Sequence, residues 1–181
     1  PDYDYVLKGK EQVLQTALTA LAKLTTGKVH VSVFKDSSLS PFRNLKGIVV
    51  HNVSGPHPAG NVSTQIAQIS PINKGEVVWV VTPQDLVVIG ELFLTGKVNL
   101  TRTVALTGSR IEKPHYVTAL AGAQISGVVG SQVKDVAAPR IISGDVLTGT
   151  KVSETGFLGF YDDQITAIPE GNDYDLFGWA K

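Results

Sequence analysis

The sequence predicts an α/β layer followed by a β-rich part of α+β character. Three observations carry this expectation. Apolar residues recur at helical spacing over residues 10–26 and give way at once to the alternating run Val29–Val33. A helix-start signature, Thr82-Pro83-Gln84-Asp85, follows directly on the β-branched and aromatic run Glu76–Val81. Beyond Gly96 the segments shorten, glycine becomes frequent, and alternation replaces helical spacing.

In chain order, Val13, Leu14, Ala17, Leu18, Leu21 and Leu24 define the apolar face of the first helix, with Gly27 placed as its left-handed cap. Val29, Val31 and Val33 alternate with His30 and Ser32, which is the period of a strand with unlike faces. Residues 36–45, rich in Ser, Pro and Asn, read as a loop, and Ile48–Val53 as the next strand. The run Ser54-Gly55-Pro56-His57-Pro58-Ala59-Gly60-Asn61 then stands at the carboxyl end of that strand, where open α/β sheets place their ligands. Its prolines fix φ and push the preceding residues toward extended geometry, while its glycines allow tight turns, so a rigid, shaped loop is expected. Val62, Ile66 and Ile69 form one side of a short helix.

Glu76–Val81 reads as a strand with Trp79 in the core. Thr82 caps the following helix, with Asp85 completing a capping box, and Gly96 ends it. The later strand candidates are Arg102–Leu106, Tyr116–Leu120, Arg140–Ser143 and Gly156–Tyr161; Asp162-Asp163 is the expected turn of a hairpin returning through Gln164–Ile168. A domain boundary is expected near residues 96–101. Trp179, in Asp175-Leu176-Phe177-Gly178-Trp179, is expected to cover a junction with further sequence or a partner.

Composition narrows the function classes. The 181 residues carry 16 Lys plus Arg and 16 Asp plus Glu, a formal net charge of +0, and no basic cluster; this argues against nucleic-acid binding. The chain contains no cysteine, which excludes disulfides, thiolate chemistry and Cys-ligated zinc or iron-sulfur centres within these residues. It also contains no methionine and opens on Pro1, so it is expected to be a piece of a longer protein. The most apolar window, Val77–Leu94, is interrupted by Pro83, Gln84, Asp85 and Glu91, and falls short of the ~20 apolar residues of a membrane span.

Motifs for catalysis are absent: there is no phosphate loop, dinucleotide glycine turn, zincin His pair or nucleophile elbow. The histidines are His30, His51, His57 and His115, and no spacing among them enforces a metal site. His57 carries three readings: it holds its loop by hydrogen bonds to backbone, meets another subunit, or contacts a ligand such as a quinone or nucleotide, where an imidazole could supply a proton. No catalytic residue and no metal ligand is assigned; Gly55, Pro56, His57, Pro58 and Gly60 form the candidate quinone or interface loop.

Several ordered runs carry a family resemblance. They include Leu21–Val29, Ser54–Gly60, Val78-Trp79, Gln84–Phe93, Arg102–Leu106, Ile142–Leu147 and Leu176–Trp179. Together they resemble, nearly end to end, the NqrA family of the Na+-translocating NADH:quinone oxidoreductase, the Nqr complex. That family is similar in domain plan to the complex I flavoprotein subunit and to RnfC of the Rnf complex. The resemblance implies that residues 1–98 are part of a Rossmann-like α/β domain and residues 99–152 a β-grasp domain of the soluble-ligand-binding type. Residues 153–181 would be a β-hairpin leading into a further C-terminal region.

It also implies a peripheral, structural subunit on the cytoplasmic face of the bacterial inner membrane. That subunit would have no membrane span or redox centre of its own, and would associate with the other Nqr subunits, especially the membrane protein NqrB and NqrC. NADH, FAD, FMN, riboflavin and the iron-sulfur centre would belong to those partners, with quinone as substrate of the whole. The competing expectation is a free-standing module that binds a nucleotide or flavin near His57.

Overall fold

The computed structural model describes residues 1–37, 40–134 and 139–171. They fall into two units, one formed by Asp2–Asn99 and one beginning at Leu100. The architecture is mixed α/β, with two sheets and five α-helices among the described residues. No helix among those residues is long and apolar enough to cross a membrane.

In the first unit, α1 (Tyr3–Val6) is capped by the Asp2 carboxylate, which accepts from the backbone N–H groups of Asp4 and Tyr5. Helix α2 (Glu11–Leu21) buries Leu14, Ala17 and Leu18. It ends earlier than its apolar spacing predicts, because Lys23 and Leu24 donate to carbonyls three residues back and tighten the last turn. Leu24 is consequently exposed, and Gly27 is not among the glycines with positive φ. Strands β1 (His30–Phe34) and β2 (Val49–Val53) pair in parallel, with His30 opposite Val49 and Phe34 opposite Val53. A short 3-10 turn, Pro41–Asn44, lies between them and buries Phe42.

Helix α3 (Val62–Ile69) follows the candidate loop and buries none of its residues fully. Helix α4 (Pro83–Thr95) realises its sequence signals closely. Thr82 accepts from the Asp85 N–H, Pro83 occupies the first turn, and Gly96 closes the helix at φ 70°. The core of this unit joins Val6, Leu7, Leu14, Leu18, Val33, Phe42, Leu86 and Val87.

Glu76–Val81 corrects the expectation of a paired strand. The segment has no partner strand among the described residues, and Trp79, expected in the core, is 88% exposed. Only Val81, at its carboxyl end, packs against the core.

The second unit is a five-stranded sheet made of β3 (Thr101–Thr107), β4 (His115–Leu120), β5 (Pro139–Ser143), β6 (Thr150–Val152) and β7 (Gln164–Pro169). The spatial order is β4-β3-β7-β5-β6. β3 and β7 are parallel and the other pairs antiparallel. Helix α5 (Ile125–Val129) contributes Ile125 and Val129 to a core shared with Val104, Leu106, Ile141, Ile165 and Ala167.

The hairpin expected across Asp162-Asp163 does not form. Residues 156–161 make one bridge, Phe157 to Gln124, and Gln164–Pro169 inserts instead between β3 and β5. The physical reason is burial: Ile165, Thr166 and Ala167 are all buried, which a two-stranded surface hairpin could not provide. Trp179 and the run around it lie outside the described residues.

Candidate functional site

The candidate loop is built on two strand ends that a single arginine pins. Arg43 donates from Nε to the Ser37 carbonyl at 2.7 Å and from Nη2 to the Phe34 and Lys35 carbonyls at 3.3 and 3.4 Å. Its Nη1 reaches Asn52 Oδ1 at 3.0 Å, so one planar fork ties the end of β1 to β2. The Lys35 N–H donates to the Val53 carbonyl at 2.9 Å, extending the pairing to the residue from which the loop departs.

Residues 54–61 then fold on their own backbone. Gly55 sits at φ 127°, a region that residues with a Cβ rarely adopt. The Ala59 N–H donates to the Pro56 carbonyl at 3.0 Å, and the Asn61 N–H to the Pro58 carbonyl at 2.8 Å. From α3, Gln65 Nε2 donates to the Ala59 and Gly60 carbonyls, each at 3.2 Å. The His57–Pro58 peptide bond is cis. Ala59 is half-buried, whereas Gly55, Pro56, His57, Pro58 and Gly60 are exposed. The arrangement presents an imidazole and two pyrrolidine rings outward on a braced turn.

The other histidines do not join His57. His51 Nε2 lies 2.8 Å from His30 Nδ1, and the rings stack with centroids 5.1 Å apart and 21° between planes. One ring donates and the other accepts, so the pair in this geometry favours at most one positive charge. Partial desolvation, then the neighbouring His51 and Lys28, hold the His30 imidazole below its ordinary value. Sequence reading missed this pair, since only the parallel register of β1 and β2 brings the two positions together. His115 Nδ1 lies 2.6 Å from the Lys113 carbonyl, to which it donates. No group of three or more metal-ligating side chains converges among the described residues.

A second constellation, also unforeseen, lies in the second unit. Ser143 Oγ donates to Asp162 Oδ2 at 2.5 Å and accepts from the Gly159 N–H at 2.8 Å. Next to it the Asp145 carboxylate accepts from the N–H groups of Leu147 and Thr148 and from the Thr148 hydroxyl at 2.7–2.9 Å. Those donors, the Thr148 N–H foremost, hold the Asp145 carboxyl below its ordinary value. A shallow cleft of about 340 Å³ opens beside Asp145, Thr148, Tyr161 and Asp163, with Leu147 and Tyr161 exposed nearby. The acceptors in this network are satisfied within the fold, which makes it a brace for the turn.

Comparison with known proteins adds identity to this geometry. Residues 1–98 match the family model described as NqrA second alpha/beta domain, and residues 103–154 the one described as NQRA C-terminal domain. The chain is 37% identical over 176 residues to the NqrA component of the Na(+)-translocating NADH-quinone reductase of Neisseria meningitidis serogroup A, covering 97% of this chain and 39% of that protein. It is likewise 37% identical over 180 residues to the corresponding component in Yersinia pseudotuberculosis serotype O:1b, covering 99% of this chain and 40% of that protein. The chain thus spans about two fifths of the length of the relatives it matches. With both of its units matched in order by NqrA models, the chain belongs to the NqrA family of the Na+-translocating NADH-quinone reductases.

Proposed function

We propose that this chain acts within the NqrA component of a Na+-translocating NADH:quinone oxidoreductase, as a peripheral structural element carrying no redox centre of its own. The observation that carries this reading is the ordered match of NqrA models to residues 1–98 and 103–154. NADH, the flavins and the iron-sulfur centre belong to partner subunits in this reading. The lack of cysteine and of a dinucleotide glycine turn in these 181 residues supports that division. The partners are the other Nqr subunits, foremost the membrane protein NqrB and NqrC, on the cytoplasmic face of the inner membrane.

The parallel β1–β2 pair, preceded by α2 and followed by helices α3 and α4, supports a Rossmann-like first domain. In the second, the strands run second-first-fifth-third-fourth by chain order, with the first and last parallel and a helix on one face. That order supports a β-grasp domain.

Residues 54–61 form a contact surface for a neighbouring subunit, with His57 at its tip. Near-complete exposure of the loop and its internal bracing support docking over enclosure of a small ligand. The test is the His57→Ala variant of NqrA in the assembled complex. Weakened assembly is the expected result; normal assembly with lowered quinone affinity would transfer the loop to quinone contact, and normal assembly with unchanged quinone affinity would remove both roles.

A further inference from the structure

We propose that the turn Gly144–Gly149 is a docking knob whose Val146 and Leu147 seat in an apolar pocket with a basic rim on another subunit of the complex. The inference rests on the Nqr reading above and concerns a different surface from the His57 loop, one carried entirely by the second unit.

The tip of a connection between strands ordinarily carries Gly, Pro, Asn, Asp or Ser, because it stands in water. Between β5 and β6 the tip instead carries two adjacent apolar residues, Val146 at 58% and Leu147 at 88% exposure. The fold holds them out. Asp145 Oδ1 accepts from the Leu147 and Thr148 N–H groups at 2.7 and 2.9 Å, and its Oδ2 from the Thr148 hydroxyl at 2.9 Å. The Gly149 N–H donates to the Asp145 carbonyl at 3.0 Å. A Cβ on Gly149 would lie 2.5 Å from the carbonyl oxygens of both Ser143 and Asp145, so the turn closes too tightly for any residue but glycine. At its base, the Ser143 hydroxyl ties the turn to Asp162 and Gly159. A knob braced in this way loses little conformational freedom on docking, which removes one of the costs of association.

Charge selects among the occupants that such a tip could meet. Asp145, Asp162 and Asp163 line the cleft beside it, and no lysine or arginine does so among the described residues. The donors around Asp145 hold its carboxyl below the ordinary value, so it is ionised at neutral pH. The cations within residues 139–171 are Arg140 and Lys151, and both meet Glu170 Oε1 at 2.8 Å, beyond the far end of β7 from these aspartates. An anionic membrane surface would be repelled by the three carboxylates. A second copy docking through the same patch would set like charges face to face. A protein pocket with an apolar floor and Lys or Arg at its rim satisfies both the tip and the carboxylates. Tyr161 lines the same cleft and stands edge-on to Phe160, with ring centroids 5.0 Å apart. Both rings are exposed, which adds aromatic surface of the kind enriched at such contacts.

Photo-crosslinking in the assembled complex tests this, with the crosslinking side chain at position 147 of the NqrA protein that carries this chain. The expected adduct is to another Nqr subunit, at a segment in which Lys or Arg flanks apolar residues. Leu147→Ala should weaken the affinity of NqrA for the remaining subunits about tenfold or more, the scale on which a buried leucine contributes. Leu147→Lys should weaken it further than Leu147→Glu, because a basic rim repels the ammonium and tolerates the carboxylate. None of the three should move the urea midpoint of the 181-residue chain, since the side chain is exposed; a shifted midpoint would show that Leu147 supports its own fold and would overturn the inference. Adducts to lipid, to a second copy of NqrA or within the same polypeptide, full affinity in Leu147→Ala, or Leu147→Glu binding no better than Leu147→Lys would each overturn it as well. Co-purification of NqrA with the other subunits but no adduct would overturn this inference alone, whereas failure to co-purify would overturn both it and the reading on which it rests.

Discussion

Replacing Gly90 by alanine isolates the contact that joins α2 to α4. Glycine inside a helix costs about 1 kcal/mol relative to alanine, so on helix propensity alone Gly90→Ala should stabilise the protein. The packing predicts the opposite sign. A Cβ on residue 90 would lie 2.1 Å from the Val13 carbonyl oxygen and 2.8 Å from its carbon, with Val13 Cγ1 at 2.7 Å. The oxygen and carbon are backbone, so no rotamer change relieves them; the helices must separate by about an ångström or more, loosening the core around Leu14, Leu18, Leu86 and Val87. Overpacking of this kind costs about 1–3 kcal/mol or more, and the upper part of that range applies because the obstacle is main chain.

Set against the propensity gain, the net loss is about 2 kcal/mol. That loss corresponds to roughly 8–16 °C in the melting temperature of a unit of this size. Urea unfolding followed by far-UV circular dichroism measures it, with Gly90→Ala/Val13→Ala as the second arm. Removing Cγ1 should recover only a small part of the loss, because the carbonyl contact remains. A stabilised Gly90→Ala protein, or full rescue in the double variant, would refute the close-approach argument.

Two further outcomes follow from the polar contacts. The His30 imidazole is held below its ordinary value of 6.5, so the unfolded chain binds the proton more readily than the folded one. Stability from this group is therefore fully present above about pH 6.5 and falls as pH drops through it, levelling off below the lowered folded value; His30→Gln should flatten the slope of urea midpoint against pH between about 5 and 7. Ser143→Ala leaves the Asp162 carboxylate and the Gly159 N–H without their shared hydroxyl at a buried position, and should cost about 1–3 kcal/mol in the same urea assay; a change under about 0.5 kcal/mol would show that water replaces the hydroxyl freely.

Local signals and long-range pairing were unequally legible in the sequence. Thr82, Pro83, Asp85 and Gly96 act within one helix, and all four take up the places their chemistry dictates. The loop at Gly55–Gly60 was similarly readable, because turn chemistry is local. Glu76–Val81 has the composition of a buried strand, but composition does not supply a partner, and the exposed Trp79 marks where the local reading stops. The stretch after Gly156 misled for a related reason: Asp162-Asp163 has the look of a turn, but the choice between a neighbouring strand and the distant β3 and β5 is made by burial. The His30–His51 contact depended on a register that alternation within one strand cannot convey.

The placement of β7 has a consequence for how the second unit comes into being during synthesis. This last strand lies at the centre of the sheet, bonded to β3 on one side and to β5 on the other, with Ala105 opposite Gln164. Until residue 169 has cleared the ribosome, β3–β4 and β5–β6 are two separate hairpins, each with an inner edge waiting for the same missing strand. The unit thus cannot complete this sheet until the last of its described strands has been made. A truncation at residue 154, where the family match ends, would hold it at that stage permanently, with two adhesive edges exposed to any neighbouring nascent chain.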